Sequence, residues 1–553
     1  MDTVHEDSAL IRRRFAQRLT GENLFQFMGA AFAFFVMLLH PTIFDDLFFN
    51  INRFKHAVFC YSAYFGFVAY MLLSYMKRKS MTGRIYEPFS LSLADWGMLL
   101  FSVIAAISCA LSDDPQSAFT GDEGRKSGLL FVLAMSCVHI ITARSPGAGK
   151  SAVQGLLISG MLVALLGVLN FFYIDPFGFY GPRLGEKSVP RFISTIGNID
   201  FFAAFLCLYV PLVMVFCVKA KGIRSLACFP AIAVGSAAIV AARADGAMIA
   251  LAFSVFACLL FGVNTRQNLA KAFYAIAAAL VGFIIMSVLI EAHPDGYMSL
   301  DKSLQEYLIK YPAFMTITAL ALLCASYALG RSRKIVISKK TARFLKLLLW
   351  FLFICVAFAV TALFIYYSFI NTDAKLSGAM KLLRFSDKWG THRGGVWVRC
   401  MKLYNESDLR VKLVGLGPDL LKKPLADAYG KEIIAYCNLS FDNAHNELIQ
   451  YLLTFGALGL ISYLLFVLGG MHTLYKRMKQ CPYAAAAFAA AGTYLVHSLV
   501  TVNQPITTPL LFLLLSAGAS SAKETGKANA AEGKETTCTI PSCPQEESAS
   551  QEP

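Results

Sequence analysis

Long apolar runs separated by short polar breaks dominate the chain. A run of roughly 18 or more residues with few charges is long enough to cross a bilayer as a helix. About fourteen such runs are legible, at 24–40, 56–76, 94–111, 128–143, 152–174, 197–217, 226–242, 245–262, 271–290, 311–330, 346–370, 447–471, 483–501 and 503–519. The pattern predicts an all-α polytopic integral membrane protein with about 14 transmembrane helices, between 12 and 14. Two pairs are split most thinly: 226–262 by Arg243 and Asp245, and 483–519 around Asn503 and Pro505.

The polar positions divide the chain further. Residues 1–23 read as a cytoplasmic segment, 24–370 as helices joined by short loops, 371–445 as one large loop outside the membrane, and 446–519 as the C-terminal helices. Within the large loop, stretches such as 394–405 look amphipathic and predict short helices. Residues 520–553 are rich in Ala, Glu, Lys, Thr, Ser and Pro. Such a segment cannot bury a core, so it reads as a disordered cytoplasmic tail.

Composition supports the membrane reading. The 553 residues are 57% hydrophobic and the mean hydropathy is +0.56. The net charge of +15 matters through its distribution. With the N-terminus inside, Arg12–Arg14, Lys77–Lys79, Lys219, Lys221, Arg224, Arg331, Arg333, Lys334, Lys339, Lys340, Lys476, Arg477 and Lys479 fall on the cytoplasmic side. The loop at 112–126 on the other side is acidic, with Asp113, Asp114, Asp122 and Glu123. This is the positive-inside arrangement, so the basic excess marks topology and nucleic acid is excluded as a partner. No cleavable leader is evident at the first apolar run. Most of the 14 cysteines lie in apolar runs and serve there as small apolar residues. Cys400 and Cys437 fall in the large loop instead, where an oxidising compartment permits a disulfide between them.

Candidate chemistry concentrates at the edges of the polar segments. The turn DNAHNE at 442–447 runs straight into an apolar helix and closes the large loop. A neutral imidazole there, with an ordinary pKa of about 6.5, can take a proton from a hydroxyl at neutral pH. Asp442 and Glu447 are near enough in sequence to orient His445. The segment HNELIQ lacks the second histidine of a zinc-binding HExxH, so no metal is expected. Three arginines stand where polar segments meet apolar ones: Arg191 in PRFIS, Arg243 in AARADG and Arg393 in THRGG. Arginine keeps its charge and offers a planar fork suited to phosphate and pyrophosphate oxygens; the plainer role for each is to snorkel to lipid headgroups. His392, beside Arg393, reads as a surface residue with the chemistry of a second acid or base. Gly415, Gly417 and Pro418 form a turn. Gly456 and Gly459 allow another helix close approach or mark a bend.

Five segments in order, RFISTIGNIDFFAAFLCLYVPL (191–212), ARADGAMIALAF (242–253), RGGVW (393–397), GLGP (415–418) and AHNELIQYLLTFGALGL (444–460), resemble the O-antigen ligase family, the group of O-antigen ligases, O-antigen polymerases and bacterial O-oligosaccharyltransferases. The resemblance covers about 190–470. The chain departs from the family pattern in having GNID where a second asparagine is frequent and ARADG where Ser-Arg-Gly is usual. The resemblance implies a glycosyltransferase of the bacterial inner membrane, with both termini cytoplasmic and no cofactor or metal. It would move a glycan from an undecaprenyl-pyrophosphate carrier to an acceptor hydroxyl on a glycan, lipid or protein. On this chain, Arg191 and Arg393 would hold the pyrophosphate and His445 would be the general base. Arg243, Asn446, Asn198 and Gly417 would contribute to substrate binding. The roughly one dozen Lys and Arg of 371–445 suit an anionic donor. The alternative from another class is a transporter or flippase of lipid-linked glycans, which does not account for a large loop ending in His-Asn.

Overall fold

The computed structural model describes residues 21–80, 91–185, 188–300 and 303–518. The expected cytoplasmic segment lies outside these residues up to position 20, as does the expected tail at 520–553. Eleven apolar helices come first: α1 (Gly21–Thr42), α2 (Ile51–Ser80), α3 (Leu93–Ala110), α4 (Leu129–Ala143), α5 (Ala148–Phe171), α6 (Ile199–Lys219), α7 (Cys228–Ala242), α8 (Ala247–Gly262), α9 (Arg266–Ala292), α10 (Pro312–Arg331) and α11 (Lys339–Ile365). The large loop contributes α12 (Trp389–Glu406), α13 (Leu409–Val414) and α14 (Lys422–Cys437). The chain then returns to apolar helices α15 (Glu447–Arg477), α16 (Pro482–His497) and α17 (Thr508–Ala517). The sheet among the described residues is one pair of two-residue strands, β1 (Phe192–Ile193) and β2 (Gly197–Asn198), antiparallel with Phe192 opposite Asn198.

Ten of the described helices are long and apolar enough to cross a membrane, and the protein is an all-α, multi-pass membrane protein. Three of the fourteen expected spans are shorter than that: helices α4, α8 and α17 have 10–17 residues, against the ~20 that match a hydrocarbon core about 30 Å thick. Short apolar helices suit the interior of a bundle, and every residue of α17 is buried.

Helix α6 is the central post. All its side chains from Phe201 to Val218 are buried, and it packs against α7, α8, α9 and α16. Lipid is as apolar as leucine, so helices in a bilayer associate through close packing instead of escape from water. The run of small residues Ala484–Ala491 on α16, nearly all buried, lets that helix approach α6 closely. At the other extreme, only Ala342 of α11 is buried. Its Phe344, Trp350, Phe351 and Phe358 stand exposed, the surface expected of a helix facing lipid.

The 371–445 loop is folded. Val396, Cys400, Leu425 and Ile433 form a small core with Ala444 and Leu453. Cys400 and Cys437 pack at this core as free thiols; the Cys437 thiol instead donates to the Ile433 carbonyl (3.0 Å).

The loop docks where α15 is broken. Gly456 has φ 67° and ψ −175°, a region open to glycine alone. The break frees the Leu453 and Thr454 carbonyls, which accept from the backbone amides of Leu416 (2.9 Å) and Gly417 (3.1 Å). Ser108 of α3 donates to the same Thr454 oxygen (2.9 Å). A Cβ on Gly415 would lie 2.3 Å from the Thr454 carbonyl, and one on Gly456 would lie 2.3 Å from the Leu413 carbonyl. Two glycines thus let two backbones touch. Gly456 is the bend of the FGALGL segment.

Candidate functional site

Two helix N-termini and the end of the loop meet at the face of the bundle that carries residues 371–445. Asn198 caps α6, its Oδ1 accepting from the Asp200 amide (2.7 Å). Asn446 caps α15, its Oδ1 accepting from Leu448 (3.0 Å) and Ile449 (3.1 Å). Capping occupies these first-turn amides with the asparagine oxygens, while the positive ends of both helix dipoles stay at this face. The turn that carries His445 is held tightly. Asn443 Oδ1 accepts from the His445 amide (2.9 Å), Gln450 Oε1 from the Ala444 amide (3.0 Å), and the Ala444 carbonyl from Trp397 Nε1 (2.9 Å). Trp397 of RGGVW therefore fastens α12 to the histidine turn. His445 itself has φ 50°, a conformation that costs a non-glycine residue energy and is kept here by those bonds.

Two arginine–carboxylate pairs flank the imidazole. Arg393 Nη2 lies 3.2 Å from Asp200 Oδ2. Arg125 holds Asp442 with two bonds of 2.9 Å, from Nε and Nη2, and lies over the Phe201 ring. Burial pushes the His445 pKa down to about 4, helped by the positive charges of Arg393 and Arg125 and opposed by Asp200 and Asp442. Burial raises the Asp442 carboxyl, but the hydrogen bonds and charge of Arg125 outweigh it and hold it below its ordinary value. The arrangement keeps the imidazole neutral and the Asp442 carboxylate charged at neutral pH.

Arg243 has φ 53° in the turn between α7 and α8. Its guanidinium donates to the Pro190 carbonyl (2.5 Å), and its Nε is buried with no hydrogen-bond partner. Arg191 follows Pro190 directly and is exposed, paired with no described carboxylate. The segment from Pro190 to Asp200 therefore has Arg191 and Arg243 at one end and Arg393 at the other. Asn446 and Asn198 act as helix caps. The Gly417 amide is occupied by Thr454, which makes Gly417 part of the docking of the loop. Glu447 is buried under the turn, accepting from the Tyr463 hydroxyl (3.0 Å), and does not orient His445 by any hydrogen bond. His392 differs from the surface residue expected: it is half-buried with φ 72°, its ring beside Tyr436 and its Nδ1 buried without a partner.

Three contributors escape a linear reading. Arg125 sits in an acidic loop, GDEGRKSG, where the acids attract attention. Asp200 stands where an asparagine was expected and supplies the carboxylate for Arg393. His497, at the end of α16, is buried with its Nδ1 unpartnered, within electrostatic reach of Asp200 and Arg393. A Cβ on Gly246 would lie 2.5 Å from its Nε2, so glycine in the α7–α8 turn admits the ring. The adjacent Asp-Gly was the only sequence signal of it.

Comparison of the sequence with models of known protein families and with curated proteins finds no match.

Proposed function

We propose that the protein is a membrane glycosyltransferase of the O-antigen ligase type, moving a glycan from an undecaprenyl-pyrophosphate carrier to an acceptor hydroxyl. The observation that carries this reading is the neutral imidazole of His445 between two arginine–carboxylate pairs, where the folded loop meets the helix bundle. A neutral base beside fixed positive charge suits the removal of a proton from a hydroxyl while a phosphate leaving group gathers negative charge.

In this reading the donor pyrophosphate lies on Arg393 and the exposed Arg191, near the N-termini of α6 and α15. His445 takes the acceptor hydroxyl proton as that oxygen attacks the sugar C1. The C1–O bond to the pyrophosphate breaks, and the electron pair leaves with the undecaprenyl pyrophosphate. The glycosidic bond forms, and the imidazolium releases its proton after the products depart. The charge of the bound donor offsets that of Arg393 and raises the basicity of His445, so the base strengthens when substrate is present.

The test is a transfer assay with purified protein, undecaprenyl-pyrophosphate-linked glycan, a panel of glycan, lipid and protein acceptors, and EDTA. His445→Ala is expected to lower transfer by about 10²–10⁴-fold, the range for loss of a general base, while donor binding persists. Full activity in that variant would remove the role given to His445. Movement of the donor across the bilayer without transfer to any acceptor would favour a flippase instead.

A further inference from the structure

A cleft opens beside the histidine turn, between the start of α2, the 122–126 loop and the β1–β2 hairpin. The part lined by Asp442, the inner cleft, has a volume of about 240 Å³, the space of about eight waters at about 30 Å³ each and enough for one sugar ring. It adjoins a second hollow of about 360 Å³ lined by Phe49 and Arg53. The lining pairs two kinds of surface. Phe48, Phe192 and Phe201 supply apolar surface, with Phe48 stacked on Phe179 and Phe192, and Phe201 lying under Arg125, and Asn52, Asn198 and the Arg125–Asp442 pair present hydrogen-bonding groups. Asn52 donates to the Gly124 carbonyl (3.1 Å), while its Oδ1 is buried with no partner. An acceptor atom without a donor at the edge of a cavity is a cost that a ligand hydroxyl removes.

Apolar side chains suit the C–H groups of a pyranose ring, while amides and a carboxylate serve the hydroxyls at its rim. The charges inside the inner cleft cancel, because Arg125 is bonded to Asp442 through both oxygens. A compensated pair suits a neutral, hydroxyl-rich ligand and gives no preference to a phosphate. The anionic group has Arg191 and Arg393 instead. Asp442 and Arg125 line this cleft and also act electrostatically on His445, which ties the cleft to the base.

We propose that this cleft is a monosaccharide subsite, holding the acceptor sugar ring whose hydroxyl faces His445. The description of the ring as the acceptor rests on the glycosyltransferase reading; the binding of a neutral sugar does not.

The full-length protein in nanodiscs is offered a panel of hexoses, N-acetylhexosamines and uronic acids, with glycerol as control, and saturation-transfer NMR reports which ligand protons touch protein. The subsite predicts a response on ring C–H protons of at least one neutral sugar and none on glycerol. Asn52→Ala is expected to weaken it by about five- to tenfold, the scale of one hydrogen bond. Gly124→Leu is expected to abolish it. Gly124 lines the cleft and is exposed, and a Cβ there would have its nearest neighbour at 3.4 Å, so a Cβ is accommodated and the bulk of leucine fills the cleft. A sugar response unchanged in both variants, or no response to any sugar, would overturn the proposal. Binding lost in both variants, in a protein that transfers nothing, would keep the subsite and remove the glycosyltransferase reading. His445-dependent transfer with an unaltered acceptor KM in both variants would remove the subsite alone.

Discussion

At the scale of single residues, His445 is governed by its neighbours. Burial and two arginines depress its pKa to about 4, so the free protein keeps a neutral base far below neutral pH. Activity requiring that base is lost as pH falls through the pKa. For the free protein, kcat/KM is therefore expected to hold down to about pH 5, while the acid limb of kcat, read with the anionic donor bound, lies at higher pH. Arg125→Gln removes one cation and frees Asp442, and both changes favour the imidazolium. The kcat/KM limb should move to higher pH in that variant; an unmoved limb would show that Arg125 does not act on the histidine. Arg393→Lys keeps the charge but loses the planar fork that meets Asp200 and a pyrophosphate. Its donor KM should rise more than its acceptor KM.

At the scale of elements, the broken helix α15 and the 122–127 loop determine where the site residues stand. Gly456→Ala would force a Cβ against the Leu413 carbonyl at a φ reserved for glycine. A loss of about 1–3 kcal/mol, seen as a lower unfolding midpoint together with faster amide exchange at 413–417, is the expected result. The 122–127 loop, which presents Arg125, hangs on one buried carboxylate oxygen: Asp419 Oδ2 accepts from the amides of Asp122 (2.8 Å) and Ser127 (3.0 Å). Burial raises the Asp419 pKa to about 7 despite those bonds. The folded state therefore holds this proton more tightly than the unfolded chain does. The resulting stability is complete below about pH 4 and is lost as pH rises through 7. Amide exchange in 122–127, corrected for its intrinsic pH dependence, should quicken between about pH 4 and 7, and Asp419→Asn should flatten that dependence. An exchange profile that is equally steep in both proteins would disprove it.

At the scale of the whole molecule, the loop, the arginines and the histidine occupy one face of the bundle. Arg477, bonded to the Gly518 carbonyl, and Lys219, bonded to that of Lys479 (3.2 Å), belong to the basic turns expected on the cytoplasmic side. In the proposed topology, a cysteine at exposed Asp427 on a cysteine-free background reacts with an impermeant maleimide in intact cells. One at exposed Arg224 reacts only after permeabilisation. The reverse pattern would turn the site toward the cytoplasm and end the proposal of an outer-face reaction.

The hydrophobic pattern alone determined the all-helical membrane architecture, because apolar runs of this length can be satisfied in a bilayer only as helices. It located the break around Arg243 and Asp245, where polar residues interrupt the runs, it put the last break around Asn503 and Pro505 while α16 ends at His497, and it marked 371–445 as the one long polar loop before the tail. It placed most helix ends within a few residues and missed others, such as Arg266 and Lys339, because charged residues extend those helices beyond their apolar stretches. It also counted α17 as a span, since a buried helix that short is as apolar as a spanning one. His445, Arg393, Arg191 and Arg243 were legible because charged and titratable residues at membrane edges are conspicuous. Their partners were not. Arg125 lies 317 residues from Asp442, and Arg393 lies 193 residues from Asp200; no local period or spacing encodes such pairs. Only the tertiary structure decided that the loop docks on a broken helix, that Gly417 and Asn446 serve backbone geometry, and that His445 is buried between two cations. Each of these follows from chain segments meeting in space, and it is there that burial and charge set the chemistry of a side chain.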